Sequence, residues 1–148
     1  MIKILYFIYQ LFIGLPNFLV STFLICTIII IGCSIGDAHF WSYWPGKIWS
    51  YITCYSLLLP VKVKRNPNVK KDTSYVFVAN HQGAFDIFLI YGFLGHPFKW
   101  LMKVELRHIP LFGKACESAG HIFVDKSGPR KILATIMHAR KVLKGGID

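Results

Sequence analysis

The chain has 148 residues, 54% of them hydrophobic and only 16% charged, against the roughly 25% charged residues usual in soluble domains. Its net charge of +10 sits behind residue 61, where 15 basic residues face 6 acidic ones, while the first 61 residues carry only Lys3, Lys47 and Asp37. A basic body behind an apolar front suits anionic lipid headgroups, whereas binding to nucleic acid leaves the apolar front without a role.

From Ile2 to Gly36 the only charge is Lys3. Residues 2–14 form a short apolar, aromatic segment, and Leu15-Pro16-Asn17 reads as its interruption, with Asn17 able to cap the next helix. Residues 18–32, extended to Ile35, approach the roughly 20 apolar residues that a spanning helix needs. Two arrangements fit: one kinked span, or a helical hairpin held in one leaflet. Ile30-Ile31-Gly32-Cys33 resembles a lipoprotein cleavage box, but the apolar stretch before it is too long for a signal peptide, and aromatics rather than a polar tether come after it. The lysines from Lys62 onward predict a cytoplasmic side for the rest of the chain.

Residues 40–59 carry three tryptophans and three tyrosines, side chains that favour the headgroup level. The segment reads as an interfacial amphipathic helix or as a core helix of the following domain, and the two are compatible. Beyond it Val61-Lys62-Val63-Lys64 alternates like an edge strand, and Tyr75 to Ala79 is a run suited to a buried strand. The pattern then predicts a helix over 84–94 stopped by Gly95, a strand over 98–102, a helix over 111–119 stopped by Gly120, a strand over 121–124 and a helix over 129–143 stopped by Gly145-Gly146. Strands alternating with helices imply a largely parallel α/β sheet. The expected organisation is a membrane-embedded segment over 1–36, an aromatic interfacial helix over 37–60, and an α/β part over 61–148 that lacks the further strands such a sheet needs.

Asn80-His81-Gln82-Gly83-Ala84-Phe85-Asp86 carries the chemistry. His81 follows the carboxyl end of a predicted strand, the edge at which open α/β sheets bind ligands. Asp86, in the first turn of the next helix, can fold back to the imidazole and fix its tautomer, leaving the other ring nitrogen to take a proton from a hydroxyl. Gly83 permits close backbone approach to a ligand, and the helix N-terminus offers N–H groups to an anionic oxygen. On the residues alone, a structural histidine and a dipole-complementing aspartate compete with this reading.

Asn80-His81 followed by four residues and Asp86 resembles the N-H-x-x-x-x-D signature of the glycerolipid acyltransferases, a family that includes the bacterial 1-acyl-glycerol-3-phosphate acyltransferases. Ile109-Pro110-Leu111-Phe112-Gly113 resembles the stretch between that family's first two motifs, and Gly120-His121-Ile122-Phe123-Val124-Asp125-Lys126 resembles its second, with Lys126 where Arg is usual. The resemblance covers residues 61–146. It implies a glycerolipid-acyltransferase-like α/β sheet with flanking helices, here incomplete, because the family's third and fourth motifs do not follow Gly146. It further implies acyl transfer from an acyl carrier protein or coenzyme A thioester to the sn-2 hydroxyl of lysophosphatidic acid, giving phosphatidic acid. His81 would be the base and Asp86 its orienting partner. Asn80 and Gly83 would stand beside the substrate, and Lys126, Arg130 and Lys131 would attract its phosphate, aided by a helix starting at Ser127-Gly128-Pro129. The same basic cluster also reads as a solvated turn.

A catalytically inactive remnant of the family is the alternative. A hydrolase running the same pair on water lacks a nucleophile elbow such as G-x-S-x-G. No metal and no resident cofactor are expected, since neither His nor Cys falls at ligand spacing. His39, His96, His108, His121 and His138 read as surface or satisfied core positions, and the four cysteines as small hydrophobes in a reducing compartment. The partners expected are membrane lipids, lysophosphatidic acid and the acyl thioester, at a membrane with the catalytic part facing the cytoplasm.

Overall fold

The computed structural model describes residues 1–70, 73–80 and 82–144, with side chains as far as residue 141. It is mostly helical, with a two-stranded parallel sheet. Among the described residues one helix, Ile2–Ile35, is long and apolar enough to cross a membrane. It comprises α1 (Ile2–Tyr9), a π-helical turn (Gln10–Gly14) and α2 (Leu15–Ile35). The break expected at Pro16 does not occur. A proline ring crowds the carbonyl one turn before it, and the wider π turn just ahead of Pro16 absorbs that crowding without ending the helix. At 1.5 Å per residue the 34-residue helix is about 50 Å long, well beyond a bilayer's hydrocarbon thickness.

Gly36 and Asp37 turn the chain back into α3 (Ala38–Ser56), with the Asp37 carboxylate accepting from the His39 N–H at 2.9 Å. Gly32 lets the two helices close together: a Cβ there would lie 2.4 Å from the Trp41 ring. Trp49 Nε1 donates to Thr22 Oγ1 at 3.0 Å across the same pair. One face of α3 is core, with Ser42, Tyr43, Gly46, Ser50, Thr53 and Cys54 buried; the other exposes Phe40, Trp44, Ile48, Ile52 and Tyr55.

The end of α3 accounts for its last carbonyls one by one. Leu58 takes φ +54, Leu59 N–H bonds Cys54 O and Leu58 N–H bonds Tyr55 O, a Schellman closure built on Leu where Gly is usual. The Ser56 carbonyl accepts from Tyr9 Oη at 2.9 Å, and the Leu57 carbonyl accepts from Tyr6 Oη at 3.0 Å and Gln10 Nε2 at 3.1 Å. The few polar side chains of the N-terminal helix thus cap its neighbour.

The residues expected to form strands at 61–64 and 75–79 form none. Val76 and Val78 are 85% and 93% exposed, and the segment is extended without a ladder. An apolar strand is stable only between hydrogen-bonded neighbours and with its faces covered, and the described sheet contains only β1 (Leu101–Lys103) and β2 (Ile122–Val124), paired in register Leu101 to Ile122. Helix α4 (Phe85–Phe93) packs on α3 and ends before Gly95 at φ +82. A 3-10 turn (Val104–His108) leads to α5 (Phe112–Ser118), which stops before Gly120 at φ +73. Helix α6 (Pro129–Lys144) follows β2, and the expected Gly145-Gly146 stop lies outside the described residues. The core joins Cys26 and Ile29 of α2 to Ala115 and Ala119 at α5, so the long helix is packed into the body of the protein.

Candidate active site

Helix α4 starts after the loop Gln82–Ala84, and Asp86 lies in its first turn, where a carboxylate complements the helix dipole. Its Oδ2 accepts the backbone N–H of Gln82 at 2.6 Å and of Gly83 at 3.0 Å. The carboxylate therefore points back over the loop and gathers charge-assisted hydrogen bonds from it. His81 lies outside the described residues. Asn80 is exposed at the end of the extended segment. Gly83 is also exposed, and a Cβ built there would meet nothing within 4 Å, so the loop is open to a ligand on that side.

The basic turn after β2 is organised by Asp125. Its Oδ1 accepts from the Ser127 N–H at 2.8 Å and its Oδ2 pairs with Lys131 Nζ at 2.8 Å. The hydrogen bond from Lys131, helped by those from Ser127, holds the Asp125 carboxyl down at about 2. Lys131 is thus engaged within the turn while remaining exposed, and Lys126 and Arg130 are exposed beside it. Pro129 opens α6 as expected, with Lys131 and Ile132 N–H groups bonding Gly128 O.

Behind α4 lies a polar seam that the sequence reading missed. Lys99 Nζ donates to Ser42 Oγ at 2.8 Å and to Ala119 O at 2.7 Å, while Tyr91 Oη donates to Ser42 O at 2.7 Å. These bonds tie α3, α4 and the end of α5 together. Burial lowers the Lys99 ammonium pKa and raises that of the Tyr91 hydroxyl. His121 is 9% exposed, and its Nδ1 accepts from the Trp100 N–H at 3.3 Å, the satisfied core role expected of it. The available signal was Lys99 itself, a lone charge inside the apolar run from Phe98 to Met102.

Burial, reinforced by nearby Lys99, pushes the His121 imidazole down to about 3. An unfolded histidine titrates near about 6.5, so below that pH the unfolded chain binds a proton that the folded one refuses. The stability contributed by neutral His121 is full above about pH 6.5 and declines toward pH 3, by at most about 1.4 kcal/mol per pH unit. His121→Asn keeps an acceptor for Trp100 but does not titrate. In urea unfolding, the stability difference between wild type and His121→Asn is expected to shrink as pH falls through this window; a pH-independent difference would contradict the assignment.

Among the described residues no three His, Cys, Asp or Glu side chains converge as metal ligands. The family model described as Acyltransferase matches residues 60–146. The chain is 29% identical over 101 residues to a chloroplastic 1-acyl-sn-glycerol-3-phosphate acyltransferase of Arabidopsis thaliana, covering 68% of this chain and 28% of the relative. A 1-acyl-sn-glycerol-3-phosphate acyltransferase of Chlamydomonas reinhardtii is 32% identical over 75 residues, covering 51% and 22%. One from Saccharomyces cerevisiae is 26% identical over 113 residues, covering 76% and 35%. The chain therefore spans about a third or less of the length of these curated relatives. No solved structure matches it significantly.

Proposed function

The chain belongs to the acyltransferase family, and from that premise we propose that it carries the catalytic loop of an enzyme that acylates lysophosphatidic acid. The observation that carries this reading is the Asp86 carboxylate turned back on the Gln82 and Gly83 amides. It stands over the loop in which His81 lies by sequence. A thioester from acyl carrier protein or coenzyme A is already activated, so no covalent enzyme intermediate is needed. His81 takes the proton of the sn-2 hydroxyl, Asp86 stabilises the resulting imidazolium, and the hydroxyl oxygen attacks the thioester carbonyl. The thiolate leaves as the carbonyl re-forms, takes the proton back from the His81 imidazolium to become the free thiol, and phosphatidic acid is formed. Lys126 and Arg130 attract the acceptor's phosphate, Lys126 as a point charge without the fork of an arginine.

The setting proposed is a membrane surface. Charged residues flank the long helix at both heights: Lys62 and Lys64 follow the α3 end that Tyr6 and Gln10 cap, and the Lys114–Glu117 pair lies on α5 beside the Cys26–Ile29 face. Such charges do not belong in hydrocarbon. An orientation along one leaflet leaves them in water and buries Leu5, Phe12, Leu19 and Phe23, all exposed in the protein alone.

The test is phosphatidic acid formation by the full chain in membranes, with lysophosphatidic acid and either thioester. Turnover is expected, and His81→Ala should abolish it. A folded, membrane-bound protein that forms no phosphatidic acid with either donor would favour the second reading, a family member that does not turn over. The exposed, unladdered segment from Tyr75 to Val78 is the observation on that side.

A further inference from the structure

A cleft of about 450 Å³ runs between the N-terminal helix and α4, within the size range of small-molecule sites. Phe7, Leu11 and Leu15 line it from the long helix, Phe85 and Phe88 from α4, and Thr53 from α3. Phe7, Leu11, Leu15 and Phe85 are exposed, whereas Phe88 and Thr53 are buried, so the cleft has an open apolar rim and a closed floor. It also reaches Ala84, and so ends at the loop that carries Asn80 to Asp86. Thr53 is 1% exposed, yet its Oγ1 has no hydrogen-bond partner among the described residues. A buried hydroxyl without a partner is costly to keep, and here it is offered in a mostly apolar lining, whose other polar side chain, Gln10, already donates to the Leu57 carbonyl.

We propose that this cleft holds the esterified chain of the monoacyl lipid acceptor, with Thr53 donating to its ester carbonyl. The assignment rests on the acyl-transfer reading for the acceptor's identity. A thioester donor has one acyl carbonyl, the atom under attack, which belongs at the catalytic loop rather than on α3. A monoacyl acceptor carries a second, spectator ester, the one acceptor group that suits Thr53. Its hydrocarbon then lies along Phe7, Leu11 and Leu15, on the helix that we place in the leaflet, and the lipid enters sideways from the bilayer.

The experiment uses the full chain in phosphatidylcholine vesicles with a monoacyl glycerophosphate bearing a diazirine at the end of its chain. After photolysis, adducts are expected on the segments containing Phe7, Leu11 and Phe88, suppressed by excess unlabelled monoacyl glycerophosphate. Adducts on Leu19 and Phe23, exposed and off the cleft, should persist under competition. Leu11→Trp fills the cleft and should weaken binding about fourfold for each methylene excluded. Thr53→Val should weaken it about two- to tenfold through the lost hydrogen bond, and it is the gentler variant should the tryptophan disturb folding. Labelling that competitor does not suppress, or that both variants leave unchanged, overturns the proposal. So does competed labelling of the cleft by a diazirine-bearing acyl-coenzyme A instead of the acceptor. Competed cleft labelling without phosphatidic acid formation leaves the cleft standing and sinks the acyl-transfer reading; turnover with an unlabelled cleft does the reverse.

Discussion

Asp86→Asn is expected to lower kcat by about 100- to 10,000-fold, the range general-base assistance supplies, with KM nearly unchanged. The substitution is chosen because of what Asp86 touches. Its Oδ2 accepts two loop amides, from Gln82 and Gly83. The amide oxygen of Asn can keep accepting from that loop, so the backbone turn survives, while the charge that would steady a protonated imidazole is gone. Asp86→Ala removes both functions and should add a loss of stability, since the loop amides lose their acceptor. A merely structural Asp86 would behave in the opposite way: Asn would be nearly silent in kcat and only Ala would be harmful. The pH profile gives an independent check. With the carboxylate neutralised, the acidic limb of kcat/KM, where the base loses its proton, should move to lower pH, because the imidazolium has lost its counter-charge. An Asn variant with wild-type kcat and an unmoved profile would remove Asp86 from the positioning role.

How far the sequence revealed this arrangement depended on whether the forces involved were local. Helices α4 and α5 were read close to their observed ends, and α6 at its start, because apolar runs met local signals, Gly95 and Gly120 at positive φ and Pro129 at a helix start. Asp86 in the first turn of α4 was legible for the same reason. The N-terminal helix was misread at Pro16, since a π turn that accommodates a proline leaves no mark in a hydrophobicity pattern. The end of α3 was hidden because Leu58 takes the left-handed position without glycine, and the carbonyls are capped by Tyr6, Tyr9 and Gln10 from far along the chain. Tyr75 to Ala79 has the composition of a strand, but composition cannot supply a neighbouring strand. Cleft and polar seam depend on contacts between the N-terminal helix, α3, α4 and the end of α5, and only Lys99 announced either of them.

Gly113→Ala is expected to destabilise the protein by about 3 kcal/mol or more, although helix propensity alone predicts the reverse. Gly113 lies in the first turn of α5, and alanine there gains about 1 kcal/mol of propensity. The space decides against it. A Cβ on Gly113 would stand 2.1 Å from the Arg107 carbonyl oxygen, 2.6 Å from its carbon and 2.9 Å from its Cα. All three are backbone atoms of the 3-10 turn, so no side chain can swing away to relieve the overlap. The turn cannot drift freely either, because the Arg107–Glu117 ion pair joins it to α5 and the Gly113 N–H bonds Ile109 O at 2.9 Å. Leu111, two residues earlier, is already held at φ +62 to bring the chain into this contact. This is a steric reason for glycine at the end of Ile109-Pro110-Leu111-Phe112-Gly113, independent of any chemistry. At roughly 2–4 °C per kcal/mol for a chain of this size, the apparent Tm should fall by about 6–12 °C. Gly128→Ala, where a Cβ meets nothing within 4 Å, is the matched control and should leave it nearly unmoved. Equal melting of the two variants would mean that α5 does not sit against the Arg107 backbone, and the packing of α5 against α2 at Cys26 and Ile29 would have to be redrawn with it.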